Sequence, residues 1–210
     1  MYLKTLFLSL LFLVFINLNL SAQDYAETAS EVTPLLIGSI IPDVSVKNIE
    51  SEELNLRELV SSKQTVIIFY RGGWCPYCSQ HLAELNEIED EIRNMGYQFL
   101  AISADRPEEL RKSKSKADLN YTLLSDSPMN ATKAFGLAFK VDEATVQRYM
   151  EIGIDLEKSS GYDHHLLPVP AVYILDTDGK VLFDYVNPDY RQRINGEILL
   201  TAARVYRAES

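Results

Sequence analysis

The apolar positions of this chain fall into short blocks with two different periods. TVIIFYR (65–71) is a continuous apolar run, the pattern of a strand covered on both faces. Beyond it Leu82, Leu85, Ile88 and Ile92 recur at helical spacing, with Glu84, Glu87, Glu89 and Glu91 among the remaining positions. That predicts an amphipathic helix of about five turns. YQFLAIS (97–103) predicts a second strand, DRPEELRKSKSK (105–116) a charged, solvated helix, and YTLLSD (121–126) a third strand. A short helix follows near Asn130 to Phe135, and VDEATVQRYMEIGIDLEK (141–158) reads as one further helix, inserted before the next strand. AVYILD (171–176) and VLFDYV (181–186) flank an Asp178–Gly179 turn and should pair antiparallel, with a closing helix over 196–206. SVKN and ELNL are candidates for an edge hairpin. The order βαβαβ, then ββα, specifies an α/β fold: a mixed β-sheet with helices on both faces.

The first residues stand apart from this pattern. Lys4 is followed by an uncharged, mostly apolar run from Thr5 to Leu20 and the small pair Ser21–Ala22, the layout of a secretory signal peptide. Residues 1–22 are therefore expected to be removed, leaving an exported protein that starts at Gln23, with no cysteine there for a lipid. A retained N-terminal membrane anchor is the alternative, since the run is near the lower length for spanning. Residues 23–33, polar and acidic, are expected to form a flexible lead-in, and 34–210 one domain.

Charge narrows the partners. Loss of the leader removes Lys4 and no acid, taking the net charge from −10 to −11. A chain this acidic repels phosphate backbones, so nucleic acid is excluded as a natural partner. Export also means that a cysteine pair meets an oxidising compartment, the periplasm in the simplest case.

Both cysteines, Cys75 and Cys78, lie in YRGGWCPYCSQHLAEL (70–85), just past the buried strand at the first turn of the predicted helix. Pro76 suits the first helical position, where its missing N–H would have no partner, and this makes Cys75 the N-cap. Its sulfur is then predicted to accept from the amides of Tyr77 and Cys78. The helix dipole contributes about 0.3–1 kcal/mol toward the thiolate, and a hydrogen bond to a charged group about 1.5–3 kcal/mol, so capping should lead. Together they would bring Cys75 from about 8.5 to near or below 7, with Arg71 adding where its side chain points at the sulfur. Cys78, one turn inside, should be more buried and less acidic. One thiol to attack and one to resolve is what disulfide exchange needs. A zinc site needs four ligands, only His81, His164 and His165 could complete one, and there is no second cysteine pair. An inert staple across two residues closes almost no loop. No metal and no cofactor is implied.

WCPYC after an apolar strand resembles the active site of the thioredoxin superfamily, and Pro-Tyr matches the dipeptide of glutaredoxins. FYRGGWCPYC, then LLSDS with AFGL, then LPVPAVYILDTDGKV, is similar to AhpC/TSA peroxiredoxin-like proteins over roughly residues 36 to 190. The resemblance implies a thioredoxin-like fold with a helical insertion before a cis-Pro strand. By position that proline is Pro170, so a cis Val169–Pro170 bond is expected beside the cysteines. It also implies substrate contacts from Val169 and Pro170, while Trp74 and Tyr77, beside the sulfur, read as parts of the same substrate-docking surface. Arg71, Gly72 and Gly73 support the turn, the glycines by letting it tighten and leaving the backbone open to a partner strand. His164 and His165 read as a solvated loop pair.

The departures matter. The buried acid that thioredoxins carry six residues before the first cysteine falls on Phe69. Aligning FYR with the peroxiredoxin FYP puts Cys75 on that family's Thr, Cys78 on its peroxide-attacking Cys, and its later Arg on Pro170. The expectation is therefore a thiol–disulfide oxidoreductase working on a protein or small-molecule disulfide, with a reducing thiol partner. A peroxide reductase on the same pair is the alternative, with peroxide as substrate. From another class stands a non-catalytic binding domain with a fixed disulfide.

Overall fold

The computed structural model describes residues 24–117 and 119–207; the expected leader lies outside the described residues. After a short 3-10 turn (Ala29–Glu31), the edge strands β1 (Ser45–Lys47) and β2 (Glu53–Asn55) lead into helix α1 (Leu56–Val60). Then come β3 (Thr65–Tyr70), α2 (Pro76–Asn94), β4 (Gln98–Ser103), α3 (Pro107–Ala117) and β5 (Thr122–Ser125). α4 (Asn130–Ala134), β6 (Ala138–Lys140), α5 (Glu143–Glu151), α6 (Leu156–Ser160) and β7 (Leu166–Pro168) form a middle section. β8 (Ala171–Leu175), β9 (Val181–Val186) and α7 (Gly196–Tyr206) complete the chain.

A seven-stranded sheet runs in the order β2-β1-β5-β4-β3-β8-β9. β3, β4 and β5 are parallel, as two βαβ crossovers require. β8 lies antiparallel to β3 on its other side, with Ala171 opposite Phe69. The start of β8 therefore sits beside the end of β3, where the cysteine turn begins.

Central placement explains the unbroken apolar run of β3. Val66, Ile68 and Tyr70 face a core shared with Leu82, Leu85 and Ile92 of α2 and Leu199, Leu200 and Ala203 of α7. Ile67 and Phe69 face the opposite core, with Leu56 and Val60 of α1, Phe135 and Tyr173. Each large side chain so buried stabilises the fold by about 1.5–3 kcal/mol. The mixed α/β sheet with helices on both faces, and the SVKN/ELNL edge hairpin, are as expected.

Two expectations are corrected. The insertion is not one helix: α5 ends at Glu151 with Ile152 as its C-cap, Gly153 takes φ 82°, and Asp155 caps a second helix by accepting from the Lys158 amide at 2.9 Å. A glycine in the left-handed region followed by an N-cap residue is a stop and a start, and outweighs the helical composition. The lead-in does not run free. The Ala26 amide donates to the Ala138 carbonyl and the Lys140 amide to the Ala26 carbonyl, while the Thr33 amide reaches Gly136. This segment thus docks along β6, whose own pairing is limited to β7.

Candidate active site

β3 delivers the chain to Arg71 with no turn to spare, and Gly72–Cys75 reverse it into α2. The Cys75 amide donates to the Gly72 carbonyl at 3.2 Å, and the amides of Cys78 and Ser79 both donate to the Cys75 carbonyl, at 3.0 and 3.1 Å. Pro76 opens the helix and Cys75 is its N-cap. The sulfur, however, makes no side-chain capping hydrogen bond, so the expected capping of the thiolate is not its main support.

Both sulfurs are buried: Cys75 is 2% exposed and Cys78 fully enclosed. Even so, the Cys75 thiol is held down to about 6, first by a hydrogen bond from the Cys78 thiol, with burial opposing, then by the Arg71 charge. Cys78 is pushed well up, chiefly by burial and then by its donation to Cys75 and by that neighbour's charge. The two are therefore unequal, and the proton they share sits on the deeper one.

Arg71 is itself buried. Its Nη1 lies 3.9 Å from the Cys75 sulfur, and its Nη2 donates to the Tyr149 hydroxyl. Its guanidinium carbon stacks 4.2 Å from the Tyr190 ring centre and 5.1 Å from that of Trp74. Flat aromatic faces hold a desolvated guanidinium well, at about 0.5–2 kcal/mol per contact. Trp74, half-buried, also meets Tyr149 with centroids 5.8 Å apart; Tyr77 is 43% exposed and edge-on to Tyr190. The insertion, through Tyr149, and the segment before α7, through Tyr190, thus close over the cysteine turn.

Arg193 and Asp105, which sequence reasoning missed, stand at the same place, together with His81, weighed from the sequence only as a zinc ligand. Arg193 Nη2 approaches the Cys78 sulfur at 3.4 Å, from 115 positions further along the chain. His81, one turn beyond Cys78 on α2, is 3% exposed, and burial followed by the Arg193 charge drives it down to about 4, leaving a neutral imidazole. Asp105, just after β4, accepts from the Gly73 amide at 2.7 Å and is pushed up to about 7 by burial, with the Gly73 and Trp74 N–H groups opposing. A strand-end aspartate beside the cysteine strand was the one legible signal; nothing in the sequence marked Arg193.

The glycines are explained by these neighbours. A Cβ on Gly72 would lie 2.3 Å from Trp74 Nε1 and 2.7 Å from Asp105 Oδ1, and one on Gly73 would lie 1.9 Å from Ser113 Oγ. Close approach, rather than openness to a partner strand, is what the turn requires of them. Beside Trp74 a cleft of about 330 Å³ opens, lined by Tyr70, Leu82, Asp105, Lys112 and Leu119 among others.

The expected cis Val169–Pro170 bond is not present; the described peptide bonds are all trans. The reason lies in the ladders on either side. The Val169 amide donates to the Leu137 carbonyl at 2.9 Å, extending the β6–β7 pairing, and the Pro170 carbonyl accepts from Asn187, extending β8–β9. An extended chain runs through both. The Val169 amide is therefore already committed and does not offer itself to an incoming strand, which corrects its assignment to substrate. The histidines are not a solvated pair either. His164 bonds the Ser127 carbonyl at 2.8 Å and accepts from the Leu166 amide, and His165 bonds Glu157 at 2.9 Å. Among the described residues no cluster of three or more His, Cys, Asp or Glu is arranged to hold a metal ion.

A dithiol at the N-terminus of a helix that follows a central parallel strand defines a thioredoxin-like redox protein. The chain belongs to the AhpC/TSA family, whose model matches residues 37–183. It is 32% identical over 106 residues to peroxiredoxin Bcp of Escherichia coli (strain K12), covering 50% of this chain and 67% of that protein. It is 21% identical over 158 residues to the thiol-disulfide oxidoreductase ResA of Geobacillus thermodenitrificans (strain NG80-2), covering 75% of this chain and 73% of the other. In fold it is similar to reduced Prx3 from Vibrio vulnificus, with a TM-score of 0.67 and 17% identity over 81% of this chain and 99% of that one. The protein is an oxidoreductase with a thioredoxin-like peroxiredoxin fold.

Proposed function

We propose that this chain is an exported thiol–disulfide oxidoreductase in which Cys75 attacks and Cys78 resolves. The observation that carries the reading is the inequality of the two sulfurs: Cys75 is held down to about 6 beside Arg71, while Cys78 is pushed up by burial. An attacking thiol titrating near neutral pH is close to the optimum for exchange, and a protonated neighbour waits to close the disulfide. The substrate class is a protein or small-molecule disulfide, with a reducing thiol partner to reset the pair. Similarity to a protein named a thiol-disulfide oxidoreductase supports the same chemistry. Export rests on the layout of residues 1–22, with an N-terminal anchor as the alternative. Cell fractionation with a mass for the mature N-terminus decides it.

A peroxide reductase on the same cysteines is the second reading. One observation favours it: guanidinium groups stand at both sulfurs, where the sequence showed no strong donor beyond Arg71. Donors already in place are what a developing oxyanion needs. Similarity to a protein named peroxiredoxin Bcp points the same way. The two readings separate when the chain lacking residues 1–22 is offered a model disulfide and hydrogen peroxide side by side. Exchange predicts the faster rate with the disulfide. Faster peroxide consumption that vanishes in Arg71→Met overturns it.

A further inference from the structure

We propose that Arg193 is a catalytic residue of the second half of the exchange: it holds the Cys78 sulfur as thiolate once Cys75 is tied up in a mixed disulfide. The proposal rests on the exchange reading above and assigns a step which that reading leaves open.

Attack by Cys75 is easy to account for, because its charge is already favoured. Resolution is not. Cys78 is fully enclosed, and a thiol in that position gives up its proton only against the cost of burying a charge. Four groups interact with its sulfur, and His81 stands beside them on the same helix. Cys75 approaches from the turn, and Tyr70 from the end of β3, where burial keeps the phenol neutral. The Arg71 amide also donates toward it from the strand end, but the Arg71 side chain turns away to Cys75 and Tyr149. His81 is a neutral imidazole on the next turn of α2. Arg193, from the segment before α7, is the remaining group, and its Nη2 touches the sulfur at 3.4 Å. Its Nε and Nη1 are buried with no hydrogen-bond partner, and among the described residues no carboxylate forms an ion pair with it.

The arrangement changes with the state of Cys75. Before attack, the Cys78 proton serves the Cys75 thiolate as a hydrogen bond, and that negative neighbour helps keep Cys78 protonated. When the Cys75 sulfur bonds to one sulfur of the substrate disulfide, the first leaving thiol departs and the Cys75 charge disappears. The Arg193 charge is then the one left facing Cys78, and it favours the thiolate. Cys78 attacks the Cys75 sulfur, the bond between Cys75 and the substrate sulfur breaks, and that sulfur leaves with the electron pair. It takes up the equivalent of the proton that Cys78 released. The protein ends as the Cys75–Cys78 disulfide and the substrate as two thiols, with no further oxidant or reductant. In the reverse direction the same contact stabilises Cys78 as the leaving thiolate.

The two half-reactions separate when the reduced full chain is mixed with dithiobis(nitrobenzoate), which releases one chromophore on attack by Cys75 and a second on resolution. Arg193→Gln should slow the first phase only modestly, because the Arg193 charge is the last of the causes that lower Cys75. It should slow the second by about tenfold or more at neutral pH and move the midpoint of its pH profile upward, as loss of a charged hydrogen bond requires. Arg193→Lys, which keeps a charge on a single-headed donor and also serves if the Gln variant fails to fold, should fall between. A second phase with unchanged rate and unchanged pH midpoint in either variant overturns the proposal, since packing alone would leave the profile in place. A first phase that is lost in Cys78→Ser rather than Cys75→Ser overturns the exchange reading itself, and with it this assignment.

Discussion

The Arg71 guanidinium lies 3.9 Å from the Cys75 sulfur and is held there by the Tyr149 hydroxyl and three aromatic faces, Trp74, Tyr149 and Tyr190. Among the described residues no carboxylate forms an ion pair with this buried cation, so its charge acts on the sulfur. Arg71→Met should therefore raise the midpoint of Cys75 ionisation by about one pH unit, equivalent to about 1.4 kcal/mol. Ultraviolet thiolate absorbance followed across pH checks this. A midpoint that stays near 6 would mean that the Cys78 hydrogen bond acts alone.

Removal of either sulfur should have a different signature. Cys75→Ser should abolish exchange, whereas Cys78→Ser should accumulate mixed disulfides through Cys75, because nothing remains to displace the substrate. Non-reducing gels and mass mapping of the adducts distinguish them. Trapping in Cys75→Ser instead would assign the attack to Cys78.

Asp105 gives the fold a pH dependence of defined sign. Burial raises its carboxyl to about 7, so the folded chain binds a proton that the unfolded chain has already lost above about pH 4. The group's favourable contribution is complete below the unfolded value and is lost as pH rises through the folded one. Wild-type stability should fall between about pH 4 and pH 7, by an amount on the order of 3–4 kcal/mol from this group. Asp105→Asn should flatten that slope in urea titrations at several pH values. An unchanged slope would place the proton elsewhere.

Gly72 has no room for a side chain, with Trp74 Nε1 and Asp105 Oδ1 at 2.3 and 2.7 Å from where a Cβ would stand. Gly72→Ala should cost about 1–3 kcal/mol by overpacking and displace the indole. Trp74 is the chain's one tryptophan, so its fluorescence reports the displacement directly. A variant with wild-type stability and emission would show that the turn yields cheaply.

How much of this was legible in the sequence depended on distance along the chain. β3, α2 and the cysteine turn follow from local periodicity and from Pro76, because neighbouring residues decide them. The break between α5 and α6 was present in Gly153 and Asp155 but hidden by helix-forming composition on both sides. Pro170 was read by resemblance, and the ladders that straighten it involve Leu137 and Asn187, which only the folded chain brings near. Asp105 and Arg193 join the site from other elements, 32 and 115 positions from their partners Gly73 and Cys78. Their charge matters through burial, and burial at a tertiary junction has no local pattern.

The central claim is that Cys75, and not Cys78, is the thiolate at neutral pH. Pulsed alkylation of the reduced chain across pH, with peptide mapping of each sulfur, measures it most directly. The account predicts that label appears on Cys75 with a midpoint near 6, while Cys78 stays unlabelled until the pH is well above neutral. Label appearing first on Cys78 at pH 7 would contradict it.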